Sequence, residues 1–140
     1  VRAAIAFDAR VWAASIDDGA PSPGDWRPGA DPRIVYVVAS DAGRPVATFT
    51  LLPQNSVTYE IHVDRAFGPQ AARAHREIFG WAFEHTPARR IVASIPADNP
   101  IAIRAARRAG MEQYGVNLAS FLRRGVLQDQ ILFGVSKCHQ

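Results

Sequence analysis

The chain is poor in the residue types that most often declare a chemistry. Its one cysteine, Cys138, stands next to the end, which excludes an intrachain disulfide and any cysteine-built metal cluster. No stretch approaches the roughly 18 consecutive apolar residues of a membrane-crossing helix, and the Ala-rich start lacks the basic region and continuous apolar segment of a secretory signal. There is no Gly-x-Ser-x-Gly elbow and no P-loop. No His, Asp and Glu share a spacing suited to a metal, so none is expected. Repeats and low-complexity tracts are also missing. Lysine is nearly absent: of the 16 basic residues all but Lys137 are arginine. Basic runs never exceed two residues and carry no interleaved aromatics, which argues against a nucleic-acid partner. Arginine favours bidentate contact with carboxylate or phosphate, so the net charge of +3 points to small anionic ligands or to solvated helix faces. A cytoplasmic protein with no membrane partner is expected.

What is present is the composition of one globular domain spanning residues 1–140, with 48% hydrophobic and 21% charged residues. Val1 to Phe7 reads as a first strand, and Asp8 as the N-cap of a short helix to about Ile16. From Asp17 to Arg33 the punctuation by Gly19, Pro21, Pro23, Gly24, Pro28, Gly29 and Pro32 predicts a loop. A loop of that length either covers a site or lies on the surface pinned by one aromatic, Trp26. Ile34 to Ala39 and Pro45 to Leu52 read as a hairpin around Asp41-Ala42-Gly43-Arg44. A third strand, Val57 to Val63, separates Thr58, Glu60 and His62 on one face from Tyr59, Ile61 and Val63 on the other.

After Gly68-Pro69, a favourable helix start, a 3.6-residue period to about His85 puts Ala71, Ala74, His75, Ile78, Phe79, Ala82 and Phe83 on one face. Ile91 to Ile95 is the next strand. Asn99-Pro100 opens a second helix whose expected apolar stripe is Ile101, Ala102, Ala105, Ala106 and Ala109, closed by Gly110. Glu112 to Leu122 and Gln128 to Ser136 complete an antiparallel pair. The order strand, glycine turn, helix, strand, helix from Thr58 to Met111 sets helix N-termini at strand ends, where backbone N–H groups receive anions.

Over residues 34–136 this order resembles the GCN5-related N-acetyltransferase (GNAT) family. The most specific part is Asn99-Pro100-Ile101-Ala102 through Gly110-Met111, similar to the family's Asn-x-x-Ala/Ser helix closing on Gly-Phe. Gly115 suits the branch resembling ribosomal-protein alanine acetyltransferases, and Arg124-Gly125 with Asp129 and Gly134 is similar to short acetyltransferase-like proteins of bacteriophages. The resemblance implies a single α/β domain with a mixed, mainly antiparallel, splayed sheet of six to seven strands and helices on both faces. It implies direct acetyl transfer from acetyl-CoA to the primary amine of a small molecule or peptide. Ile61, His62 and Val63 would pair with the pantetheine arm. The turn Arg65-Ala66-Phe67-Gly68-Pro69-Gln70, with Ala71 and Arg73 beyond it, would cradle the pyrophosphate, and Asn99 would complete the cofactor set.

Catalysis needs a base for the amine and in some cases an acid for the thiolate. Glu60 and His62, sharing one face, are the candidate bases, and Tyr114 is the candidate acid. Three positions depart from the family pattern. Pro69 removes an N–H donor, a loss of about 1.5–3 kcal/mol against a charged acceptor if nothing replaces it. Gln70 adds a side chain to the cradle. Ala106 stands where many members carry a tyrosine. These departures leave open a non-catalytic GNAT-like module, such as a phage accessory or assembly protein in the host cytoplasm. An edge strand at either end of the sheet could pair with a second copy as a homodimer.

Overall fold

The computed structural model describes residues 16–22, 24–66 and 68–138. The expected first strand and nearly all of the helix after Asp8 lie outside the described residues, as does any cover they give to the second face of the sheet. The elements run β1 (Val35–Asp41), β2 (Arg44–Pro53), β3 (Thr58–Ala66), α1 (Gly68–His85), β4 (Arg90–Pro96), α2 (Pro100–Arg108), β5 (Glu112–Arg123) and β6 (Val126–Ser136). They form one six-stranded sheet in the order β1-β2-β3-β4-β6-β5. Every neighbouring pair is antiparallel except β3 with β4, which α1 connects as a parallel crossover.

Local sequence accounts for the joints. Ala42 and Gly43 have φ of 47° and 77°, and Arg124 and Gly125 have 52° and 72°. Two successive left-handed residues give the turn twist that matches paired strands, so β1–β2 and β5–β6 close as two-residue hairpins. α2 begins where the Asn99 side chain accepts from the Ala102 amide at 3.2 Å. It ends in a Schellman motif, with Gly110 at φ 93° and the Met111 and Gly110 amides donating to Ala106 and Arg107 carbonyls at 3.0 and 3.1 Å.

Both helices pack on one face of the sheet. Ala71, Ala74, Ile78, Phe79 and Ala82 of α1 are buried against Phe49 and Leu51 of β2, Tyr59 of β3, Ile91 of β4 and Phe133 of β6. On α2 the buried stripe is rotated from the expected one. Ala102, Ile103, Ala106 and Ala109 face the core, whereas Ile101 is 72% exposed. At about 100° per residue, Ile103 lies roughly 60° from an inward-pointing Ala106 and Ile101 roughly 140° from it.

The described residues of the Asp17–Arg33 segment form a loop, as its prolines and glycines predict. The Trp26 ring meets Tyr36 edge-on at 6.1 Å, and the Gly29 amide donates to the Tyr36 hydroxyl at 2.7 Å. The other end of the loop is tied to the last hairpin. The Asp18 carboxylate accepts from the Arg124 and Gly125 amides at 2.7 and 2.8 Å, and its own amide donates to the Leu122 carbonyl at 2.9 Å.

Candidate active site

The site originates in how β3 is paired. Its register with β4 holds for only Thr58↔Arg90, Tyr59↔Ile91 and Glu60↔Val92, yet β3 continues to Ala66 and β4 to Pro96. β4 keeps its other neighbour, β6, along its whole length. Beyond Glu60 the two parallel strands therefore part, and backbone groups of Ile61, His62 and Val63 that point towards β4 have no strand partner there. Unpaired backbone at the centre of a sheet is costly unless a ligand or water completes it.

On the face of β3 away from the helices lies a polar row. His62 Nε2 stands 3.0 Å from Glu60 Oε1, and Gln54 Nε2 donates to Glu60 Oε2 at 2.7 Å. The hydrogen bond from His62 holds the Glu60 carboxyl below its ordinary pKa, with the His62 charge and the Gln54 bond adding to this against partial burial. Burial alone would lower His62. The Glu60 hydrogen bond and the charges of Glu60 and Asp64 outweigh it and raise the imidazole above 6.5.

Asp64 was not expected from the sequence and belongs to the same row. The register of β2 with β3 slips between Thr48 and Phe49, which pair with Arg65 and Val63, so Asp64 is the extra residue of a β-bulge. The bulge turns its carboxylate to Thr50, whose hydroxyl donates to Asp64 Oδ2 at 2.6 Å. Burial raises this carboxyl from 3.8 to about 6, against the Thr50 bond and the His62 charge. The sequence signal was available in Thr48 and Thr50, hydroxyl residues in a strand buried on both faces over residues 47–51.

The remaining expected residues lie in distinct places. Arg65 is the next-to-last residue of β3, paired with Thr48. Gly68 opens α1 at φ 62°, which favours glycine. Pro69 and Gln70 follow it, exposed. With Pro69 lacking a donor, the Gly68, Gln70 and Ala71 amides are the first-turn N–H groups of α1, and no acidic residue stands in that turn. Ala71 is buried in the core, so only its backbone can meet a ligand. Arg73 is exposed and pairs with Glu77 at 2.7 Å. Asn99 caps α2. The structure does not bring Tyr114 to Glu60 and His62: it lies on β5, with β6 and β4 between it and β3, roughly 14 Å away at the usual strand spacing. Its exposed ring sits 5.1 Å from the Arg90 guanidinium.

Between α1 and α2 runs a groove of about 220 Å³ lined by Ala72, His75, Arg76, Ile101, Arg104 and Arg108 among others. Burial lowers the pKa of His75, whose ring packs edge-on against Phe49, and Arg76, Arg104 and Arg108 supply the positive charge of the groove. A basic groove that continues from a carboxylate-free helix N-terminus fits a ligand carrying several phosphates.

No family model and no curated protein sequence matches the chain. Solved structures do. The spermidine N-acetyltransferase SpeG of Vibrio cholerae, in complex with CoA and spermine, superposes with a TM-score of 0.65 over 76% of this chain and 68% of that one, at 16% identity. The ribosomal-protein-alanine N-acetyltransferase of Brucella melitensis does so with a TM-score of 0.62 over 74% and 69%, at 20% identity. The fold is the GNAT fold. The single α/β domain and the mainly antiparallel, splayed sheet expected from the sequence are thus the observed architecture.

Proposed function

We propose that this protein is an acetyl-CoA-dependent N-acetyltransferase that acts on a primary amine by direct transfer. The observation that carries this reading is the parting of β3 and β4 after Glu60 and Val92, which leaves a strand edge free opposite the polar row. An extended amide-bearing arm such as pantetheine satisfies that edge as a missing strand would. The neighbours of known activity in the GNAT fold transfer acetyl groups to amines, SpeG to spermidine, which supports the reaction class.

In this reading Ile61, His62 and Val63 pair through their backbone with the pantetheine arm. The amides of Gly68, Gln70 and Ala71 receive the pyrophosphate, with Arg73 on the next turn of α1 to offset the donor missing at Pro69. Arg76, Arg104 and Arg108 hold the remaining phosphate charge along the groove, and Asn99 keeps α2 in place. Acetyl-CoA supplies the activated acetyl group. Glu60 and His62 serve the acceptor side: Glu60, fixed by Gln54, orients His62, and His62 relays the amine's proton towards solvent. With alanine at position 106 no phenol stands on α2, and this reading leaves Tyr114 out of the chemistry. The proton lost by nitrogen on amide formation is available to the departing sulfur.

Calorimetric titration with CoA and with acetyl-CoA tests this directly. Binding in the micromolar range and turnover against a panel of primary amines are expected. No binding at high-micromolar ligand would overturn the reading. Binding without turnover against any amine would favour the non-catalytic module that Pro69 and Ala106 leave open.

A further inference from the structure

In the row of ionisable side chains on β3, two members are already committed to each other. Both carboxylate oxygens of Glu60 are taken, one by His62 and one by Gln54, and His62 spends Nε2 on Glu60. His62 keeps Nδ1 as an acceptor through which a proton can pass on, whereas the bonds that each Glu60 oxygen already accepts lower its pKa and make it the weaker base. Asp64 is in the opposite condition. Its Oδ2 is held by the Thr50 hydroxyl, and Oδ1 has no hydrogen-bond partner among the described residues.

The carboxylate's position is also unusual. The Asp64 backbone forms the bulge of β3, past the last residue paired with β4, and the carboxylate itself is turned to Thr50 on the β2 side of the strand. The Thr48 hydroxyl next to it in register is fully buried and has no partner among the described residues. Among those residues, the titratable group that faces Asp64 is His62 on its own strand, while β2 presents only the uncharged Thr50 and Thr48.

We propose that Asp64 is the group that takes the proton of the acceptor ammonium, so that the enzyme selects acceptors delivered as cationic primary amines. This rests on the acetyl-transfer reading above. An N–H bond of the ammonium breaks, an O–H bond forms at Asp64 Oδ1, and the nitrogen recovers its lone pair. The nitrogen then forms the C–N bond to the acetyl carbonyl carbon as the C–S bond of acetyl-CoA breaks. The sulfur keeps the electron pair of that bond and receives the second nitrogen proton, giving the amide and free CoA thiol. Asp64 afterwards returns its proton to solvent through His62, whose side chain is 46% exposed. A carboxyl that burial has brought to about 6 is ionised at neutral pH and a stronger base than an ordinary aspartate. Thr50 is a positioning residue that fixes which oxygen is free.

The test compares the wild type with Asp64→Asn, which keeps the shape and an acceptor for Thr50. With saturating acetyl-CoA and spermidine as the probe amine, kcat/KM is expected to fall at least 30-fold and the limb that rises through about pH 6 to disappear, with CoA affinity unchanged within twofold. Turnover in Asp64→Asn within threefold of wild type, or an unchanged limb, overturns the role of Asp64 while leaving acetyl transfer intact. Absence of CoA binding in the wild type overturns the transfer reaction and this role with it. A readout independent of turnover is the carbon-13 carboxyl titration of Asp64 in the ligand-free protein. A midpoint near 6 is expected, and one at or below 4 refutes the proposal.

Discussion

Replacing Asp64 with asparagine should make the protein more stable at neutral pH, and the size of the gain follows from the site. The carboxyl titrates at about 6 in the fold against 3.8 in the free side chain. At about 1.4 kcal/mol per pKa unit that difference is worth about 3 kcal/mol, reduced to roughly 2 kcal/mol by the solvent that still reaches a half-buried group. The sign is that of an acid raised by folding. Its stabilising contribution is complete below pH 3.8, falls away as pH rises through 6, and is absent at pH 7.5. Asp64→Asn carries no such dependence and keeps an oxygen for Thr50 to donate to. For a domain of this size about 2 kcal/mol corresponds to roughly 8 °C in Tm. Thermal unfolding of both proteins between pH 4 and 8 should therefore show a gap of that order at pH 7.5 that closes towards pH 4. A variant no more stable than wild type at pH 7.5, or a gap constant across the range, would refute the reasoning. A stabilising substitution that removes activity is what a strained functional group predicts.

Three further outcomes follow from other parts of the structure. Glu60→Gln removes the hydrogen-bonded charge that lifts His62, so the His62 ring protons should titrate at lower pH by NMR; an unmoved midpoint would mean the pair does not form in solution. Asn99→Ala removes the cap on the Ala102 amide and should cost about 1 kcal/mol in urea unfolding, with Asn99→Ser recovering most of it. Reversing charge in the α1–α2 groove with Arg104→Glu and Arg108→Glu together should weaken CoA at least tenfold and flatten the salt dependence of binding, with the circular dichroism unchanged. Equal affinity in that double variant would move the phosphates out of the groove.

The sequence was most legible where a period or a special residue acts alone. The α1 face, the Asn99 cap, the Gly110 stop and the alternation of β3 are each local consequences of side-chain spacing, and each stands where it was expected. Trp26 was the expected anchor of the Asp17–Arg33 loop, and its ring does meet Tyr36 of the sheet. What pattern could not supply were quantities set by partners far away in the chain. The bulge at Asp64 depends on how β2 slides against β3, since a slip of one residue is invisible in β3 alone. The exposure of Ile101 depends on which alanine of α2 meets the sheet. The separation of Tyr114 from Glu60 and His62 arises from β6 returning between β4 and β5, a strand order that spacing along the chain does not encode. The capture of the Arg124-Gly125 turn by Asp18 joins residues over 100 positions apart.

The short seam between β3 and β4 has a mechanical meaning as well. A six-stranded sheet whose middle neighbours share three paired residues is in effect two three-stranded sheets, β1-β2-β3 and β4-β6-β5, riveted at one end. What keeps their free ends at a fixed angle is the packing of α1 and α2 beneath them. Any opening of the cleft would turn the two leaves relative to each other about Thr58–Glu60 and Arg90–Val92. Amides within each leaf should exchange with solvent at the rate of global unfolding, while those along the seam exchange through a smaller opening.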